Sequence, residues 1–308
     1  MQLAAFIILF IVLCIFVIRG FSLCKRKMIR EWLTKFTYIS ETNSYMEARQ
    51  RSFAGKGYGK IPHAVLLIHG YSTSPRDFEI LYPKFEAADI SYYAPVYTGF
   101  GVGDLRLLAA VKAEDWLRDV LNAYDCLATF AEKISVIGHS NGGTLAFLLA
   151  QHRQVNQLIL VNPNLFIHPR ARKAKKMVLN PIVGWFYNLL KPYYNKPILP
   201  GNVTNLDYAD QERAPTTFHF GVLPTTSFQA ICKLQDSIDY KSKVNCKKIS
   251  VLYGTRDRSV SNPDAFAVLK ANDIPFAAYA YENSAHQLLN DFDREPAANQ
   301  IIKILQEN

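Results

Sequence analysis

The 308-residue chain has five cysteines, at 14, 24, 126, 232 and 246, and no pattern among them. Neither the paired spacing of a disulfide framework nor the spacing of metal ligands is present. They read as reduced packing residues, which fits a reducing compartment. Internal repeats are lacking, and so is the composition of a disordered chain: 49% of residues are hydrophobic and 13% aromatic, enough for a sizeable core. The N-terminus has neither the charged n-region nor the small-x-small site of a cleaved signal peptide. Phe21-Ser22-Leu23-Cys24 also lacks the small residues that precede a lipoprotein cysteine. Acids are missing from two stretches. Arg19, Lys25, Arg26, Lys27 and Arg30 have none between them, and no Asp or Glu occurs from Asn164 to Pro200, which holds seven Lys and Arg. Those stretches account for the net charge of +9, because the remaining 23 basic residues face 26 acidic ones. Both lie beside apolar or aromatic sequence, so a membrane surface suits them better than nucleic acid, which is not expected as a partner.

What is present first is an apolar run, Leu3 to Ile18. As a helix it reaches roughly 24 Å, short of a hydrocarbon core of about 30 Å unless Arg19 snorkels. It is expected to be an uncleaved single-pass anchor over residues 1–24. The positive-inside rule then places the catalytic domain on the cytosolic face. The rival is a buried apolar helix, which the lack of any polar face disfavours.

A juxtamembrane segment at 25–60, with a helix around 28–36 and a glycine-rich loop at 55–59, leads into alternating strands and helices. Strands are expected at 64–69, 90–94, 134–138, 157–161, 248–253 and 276–281. Helices are expected at 76–88, 114–129, 142–152, 263–272 and 294–305. Such alternation predicts an α/β fold with a mostly parallel sheet covered on both faces. Only the stretch between Val161 and Lys248 breaks it. That stretch is irregular, aromatic and Pro-rich, and too long for an unstructured loop, so it is expected to be an inserted cap. The domain reading is a core at 61–163 and 248–308 and a cap at 164–247.

The chemistry is carried by Gly138-His139-Ser140-Asn141-Gly142-Gly143, set between Ile134-Ser135-Val136-Ile137 and Thr144-Leu145-Ala146-Phe147. Gly-x-Ser-x-Gly between a buried strand and a helix is a nucleophile elbow, rather than an ordinary Gly-rich turn. A serine hydroxyl needs a base to take its proton and a carboxylate to orient that base. Asp257 follows the strand ending Leu252-Tyr253, and His286 follows the strand ending Tyr281. Both fall on the sheet edge that carries Ser140, where open α/β sheets bind ligands. Asp236 and Asp239 lie in the cap, and Glu282 comes too early in its turn. His63, His152, His168 and His219 lack a strand-end placement, and His139 inside the elbow faces away from substrate. Oxyanion donors are expected from the Asn141 N–H at the helix start and the Tyr71 N–H after His69-Gly70, with His69 bracing that loop.

At this point the chain resembles the α/β-hydrolase superfamily, in particular bacterial carboxylesterases and monoacylglycerol lipases. The matching pieces are His69-Gly70-Tyr71-Ser72-Thr73-Ser74-Pro75-Arg76-Asp77-Phe78, Ala94-Pro95-Val96-Tyr97-Thr98-Gly99-Phe100-Gly101, Trp116-Leu117-Arg118-Asp119-Val120, the elbow, Gly254-x-x-Asp257 and Ser284-Ala285-His286. The resemblance implies a triad of Ser140, Asp257 and His286 with Tyr71 and Asn141 as the oxyanion hole. Phe100 stands where His is frequent and Ala285 where Gly is frequent, departures that bear on substrate rather than on the reaction.

The expected function is a membrane-anchored serine ester hydrolase acting on medium-chain or glyceride esters, with neither cofactor nor metal. The alternatives are an acyl thioesterase or lysophospholipase using the same triad, and a non-catalytic binding module of the hydrolase fold. The basic, apolar-aromatic cap from Arg170 to Lys196 is either a lipid-facing rim or a solvated face over core packing. Asn202-Val203-Thr204 matches a glycosylation sequon that a cytosolic domain would never present. Oligomeric state is left open.

Overall fold

The computed structural model describes residues 2–33, 61–100, 105–195, 207–214, 217, 219, 220 and 222–307, with side chains in the first helix described at 6–20 and 23. The glycine-rich loop at 55–59 and the sequon at 202–204 lie outside the described residues, as does most of the 25–60 segment.

Six strands build one sheet: β1 (Ile61–Ile68), β2 (Ser91–Tyr93), β3 (Ala131–His139), β4 (Val155–Val161), β7 (Cys246–Gly254) and β8 (Ala277–Tyr281). Their order is β2-β1-β3-β4-β7-β8 and every pairing is parallel, with Leu66 opposite Val136, Val136 opposite Leu158 and Leu158 opposite Ile249. Strands covered on both faces are apolar at most successive positions, which is why the buried parts of β1, β3 and β4 read as near-continuous Val/Ile/Leu runs, interrupted in β3 only by Ser135. Alternate residues of those runs feed two cores. Leu66, Val136 and Leu158 pack with α4 (Ala113–Phe130), α5 (Asn141–His152) and α8 (Thr225–Asp236) through Trp116, Phe147 and Ile231. Val65, Ile137 and Ile159 pack on the other face with Phe85 of α2 (Tyr82–Ala87) and with Ile301 and Ile304 of α10 (Arg294–Gln306). The chain crosses from β2 on one side of β1 to β3 on the other. This topological switch opens a crevice at the carboxyl ends of those strands.

One expectation is corrected. The helix expected at 76–88 is instead a 3-10 turn at Pro75–Phe78 followed by α2. A continuous helix would drive the Pro83 ring into the carbonyl four residues earlier, whereas in α2 this proline sits in the first turn. A short helix, α3 (Leu105–Ala110), was not anticipated. The insertion between β4 and β7, expected as a cap because it is too long for an unstructured loop, contains α6 (Arg172–Leu179), α7 (Pro181–Leu190), α8 and an antiparallel pair, β5 (Tyr193–Asn195) with β6 (Val222–Pro224). Pro181 reads as a breaker but occupies the first position of α7, where Asn180 Oδ1 accepts the N–H groups of Ile182 and Val183 at 3.1 and 3.0 Å.

The N-terminal run is helical, α1 (Gln2–Leu33), and packs against α7 and β5. Among the described residues no helix is long and apolar enough to cross a membrane. The described side chains of α1 are nonetheless apolar and solvent-facing, with Phe6, Ile8, Leu9 and Phe16 all more than half exposed. The buried-helix alternative is therefore set aside.

Candidate active site

The elbow begins with a close approach. A Cβ on Gly142 would lie 2.0 Å from the Ile68 carbonyl oxygen of β1, and one on Gly138 would lie 2.3 Å from the Gly142 carbonyl oxygen. Only glycine lets α5 start this near the sheet. Ser140, between β3 and α5, is forced to φ 54°, ψ −118°. A non-glycine residue held there costs on the order of 1–3 kcal/mol, and the surrounding structure must impose it. Here the Ser140 N–H donates to the Val161 carbonyl at 3.0 Å, and the Ser140 carbonyl accepts from Gly143 at 2.9 Å and Asn164 at 2.8 Å.

Of the sequence candidates, the fold brings Ser140, His286 and Asp257 into one line. Ser140 Oγ lies 2.8 Å from His286 Nε2, and His286 Nδ1 lies 2.8 Å from Asp257 Oδ2. The second Asp257 oxygen accepts the N–H groups of Ser259 and Val260 at 2.8 and 3.0 Å. Burial works against ionising Asp257. The adjacent His286 imidazole and the hydrogen bonds from it and from Val260 and Ser259 outweigh that penalty, so the carboxyl titrates below its ordinary range. The other acids lie elsewhere. Asp236 pairs with Lys175, Asp239 binds Ser242 and Lys241, and Glu282 offers its carbonyl to Arg256.

The loop after β1 reaches the same point. A Cβ on Gly70 would lie 3.3 Å from Ser140 Cβ, so this loop presses against the elbow. Asn141 is the first residue of α5, which puts its N–H at the positive end of the helix beside Ser140. Tyr71 is buried, its hydroxyl within hydrogen-bond reach of Ser227 (2.5 Å) and Tyr194 (3.2 Å) in the cap. His69 stacks on Tyr97 at 4.1 Å, and its Nδ1 lies 2.8 Å from the Gly70 carbonyl. Burial lowers its pKa to about 4, against the opposing pull of Asp77 and Gly70, so it is neutral at neutral pH. Phe100 fills an aromatic cluster with Tyr71, Trp116 and Phe220.

Two parts of the arrangement escaped the sequence reading. Asn162, at the end of β4 with φ 41°, donates from Nδ2 to the carbonyls of His286 (2.7 Å) and Ala285 (3.1 Å) and accepts the Gly254 N–H at 3.0 Å. It stitches the loop carrying His286 to the end of β7. Beneath the elbow, His139 Nδ1 lies 2.9 Å from Asp77 Oδ2, which also accepts from the Gly70 N–H and the Thr73 hydroxyl. Burial opposes the Asp77 charge, but His139 and these donors prevail and hold its pKa well below the carboxylate range. The only local signal for Asn162 was an Asn just past a strand end, a residue type that tolerates positive φ. Among the described residues one group, Asp207, Asp257 and His286, sets three metal-type donor atoms within 4.8 Å of one another. Two of its members are already bonded to each other in a proton-relay geometry.

A hydroxyl at a strained elbow, a base within reach and an orienting carboxylate can together generate an alkoxide-like nucleophile at neutral pH. A family model, Hydrolase_4, described as serine aminopeptidase, S33, matches residues 59–293. The chain belongs to this family. It is 31% identical over 114 residues to the thermostable monoacylglycerol lipase of Bacillus sp. strain H-257, covering 37% of this chain and 44% of that protein. It is 32% identical over 100 residues to a carboxylesterase of Bacillus subtilis strain 168, covering 32% and 39%. The match thus spans less than half the length of either relative. Among solved structures, a metagenome-derived lipolytic enzyme superposes with a TM-score of 0.66 at 19% identity, over 82% of this chain and 97% of that one. The soluble variant of monoglyceride lipase from Saccharomyces cerevisiae does so with a TM-score of 0.63 at 14% identity, over 81% and 88%. These likenesses show the α/β-hydrolase fold of a Hydrolase_4 member.

Proposed function

We propose that this protein is a membrane-associated serine hydrolase of the carboxylesterase/monoacylglycerol lipase type, acting on medium-chain or glyceride esters through an acyl-enzyme. The observation that carries the reading is the unbroken Ser140–His286–Asp257 line, 2.8 Å at each step. Ser140 Oγ attacks the ester carbonyl while His286 Nε2 takes its proton, and Asp257 holds the ring so that Nδ1–H points to the carboxylate. The N–H groups of Tyr71 and Asn141 receive the developing oxyanion. His286 returns the proton to the leaving alcohol, and water, deprotonated by the same imidazole, releases the acid.

Membrane association is supported by the apolar, solvent-facing α1 and by α7, whose Ile182, Val183, Trp185 and Phe186 are also exposed. The two helices pack together, and Arg19 Nη1 donates to the Leu189 carbonyl at 3.2 Å. Exposed apolar side chains on two helices that pack together mark an interaction site, and here the fitting partner is lipid. The acid-free basic stretch from Arg19 to Arg30 suits an anionic membrane surface, and in this reading the catalytic domain faces the cytosol. An acyl thioester delivered on an acidic carrier is less well supported, because Arg172 and Lys175 of the basic cap are already paired with Asp264 and Asp236.

Replacement of Ser140 by Ala is expected to cut p-nitrophenyl butyrate turnover by about 10⁴-fold or more with an unchanged circular dichroism spectrum. Retained turnover, or failure of the wild-type chain to label with a fluorophosphonate, overturns the reading.

A further inference from the structure

Asp207 enters the site from the returning limb of the cap and touches both loops that carry the acid and the base. Its main-chain carbonyl accepts the N–H groups of His286 at 3.1 Å and Gln287 at 3.4 Å. Its Oδ2 accepts the Arg258 N–H and the Ser259 hydroxyl, each at 2.7 Å, while Arg258 Nε stands 3.4 Å from Oδ1. The side chain is only 11% exposed. A three-member relay does not need this second carboxylate. Two carboxylates placed close together are unfavourable unless a positive charge lies or develops between them.

We propose that Asp207 is a positioning residue of the hydrolysis described above, locking the 257–260 and 286–287 loops in register and setting a second negative charge beside the imidazolium. The inference rests on that reading of the triad. When the Ser140 O–H bond breaks and its oxygen bonds to the carbonyl carbon, the proton moves to His286 Nε2 and the ring becomes positive. That ring faces Asp257 from the loop after β7 and Asp207 from the cap. His139 approaches from the end of β3, with ring centroids 5.4 Å apart, and Asp77 stands behind it. On its own loop, Asp291 accepts the Ala285 N–H. Arg258 offsets part of the Asp207 field from the solvent side, where it is 52% exposed.

Two substitutions of opposite electrostatic sign test this. Asp207→Asn keeps an oxygen for Arg258 and Ser259 but removes the charge. It is expected to lower kcat on p-nitrophenyl butyrate about tenfold with KM changed less than about twofold. The acidic limb of its kcat/KM profile moves down by about half a pH unit or more, since a charge favouring the protonated ring is lost. Arg258→Gln, at an exposed position, unmasks Asp207 and moves that limb up. Limbs that coincide with wild type in both variants, even with a lower melting temperature for Asp207→Asn, overturn the inference and leave a purely structural residue. Fluorophosphonate labelling of the wild-type chain separates this from failure of the triad reading, which would abolish labelling altogether.

Discussion

The elbow and the cap are built on opposite terms. At the elbow, backbone touches backbone: Gly142 leaves no room for a methyl group against Ile68 and His69, and residues 141–150 are buried throughout. In the cap, α7 packs one side on α1 and α6 and turns Ile182, Trp185 and Phe186 outward. One region derives its form from internal contacts that any disturbance breaks, whereas the other leaves apolar side chains exposed among the described residues. Stability is therefore concentrated at the chemistry and largely insensitive to the exposed side of α7.

The sharpest way to break this contrast is Gly142→Ala. Its Cβ would lie 2.0 and 2.5 Å from two main-chain oxygens of the β1 strand end, neither of which can swing aside. Separating α5 from β1 is expected to cost about 4 kcal/mol or more, seen as a collapse of the urea midpoint together with lost fluorophosphonate labelling. A folded, active variant would mean that the elbow is looser than its geometry implies.

A smaller effect tests the loop beneath the elbow. His69 is fully buried with its pKa lowered to about 4. The unfolded chain binds a proton there near pH 6.5, but the folded chain does not until about 4, so stability falls as the pH drops through that window. The contribution is at most about 3 kcal/mol from a shift of this size. Asp77, whose pKa is depressed, adds its own loss at lower pH, because the unfolded carboxylate takes up a proton that the folded one resists. In His69→Gln the slope of unfolding free energy against pH between 6.5 and 4 is expected to flatten. An unchanged slope removes His69 as its origin.

The same contrast explains what could be read from the chain. Strands buried on both faces are mostly apolar, with only Ser135 and Ser250 interrupting the runs, so β1, β3, β4 and β7 announce themselves, and a polar residue past each strand end marks Ser140, Asp257 and His286. Their meeting is a consequence of strand order rather than of any local pattern. Asn162 and the Asp77–His139 pair were illegible for that reason. The partners of Asn162 come from Gly254 and Ala285–His286, and Asp77 lies 62 positions from His139. Nothing in the periodicity around either residue encodes a contact that distant. In the cap, Asn180 and Pro181 start a helix, and the short α3 gave too few turns for a periodic signal.

The smallest effect on stability sharpens the comparison from the other side. Trp185 and Phe186 are 60% and 49% exposed and meet each other edge to face at 4.8 Å, so replacing both by Ser removes little internal packing. Unfolding free energy is expected to change by less than about 0.5 kcal/mol for each substitution. Turnover of a soluble p-nitrophenyl ester should be unaltered, because neither side chain reaches Ser140 through any contact described above. Hydrolysis of a monoacylglycerol dispersed in anionic phosphatidylglycerol vesicles should fall several-fold, because the pair places apolar area in the lipid interface at about 25 cal/mol per Å². The ratio of the two rates is the measurement, since it cancels differences in enzyme amount and fold. A ratio equal to wild type would assign α7 to ordinary surface and leave α1 alone to hold the protein at lipid, whereas a large loss on the soluble ester would show that the cap shapes the site and is not merely laid against the membrane.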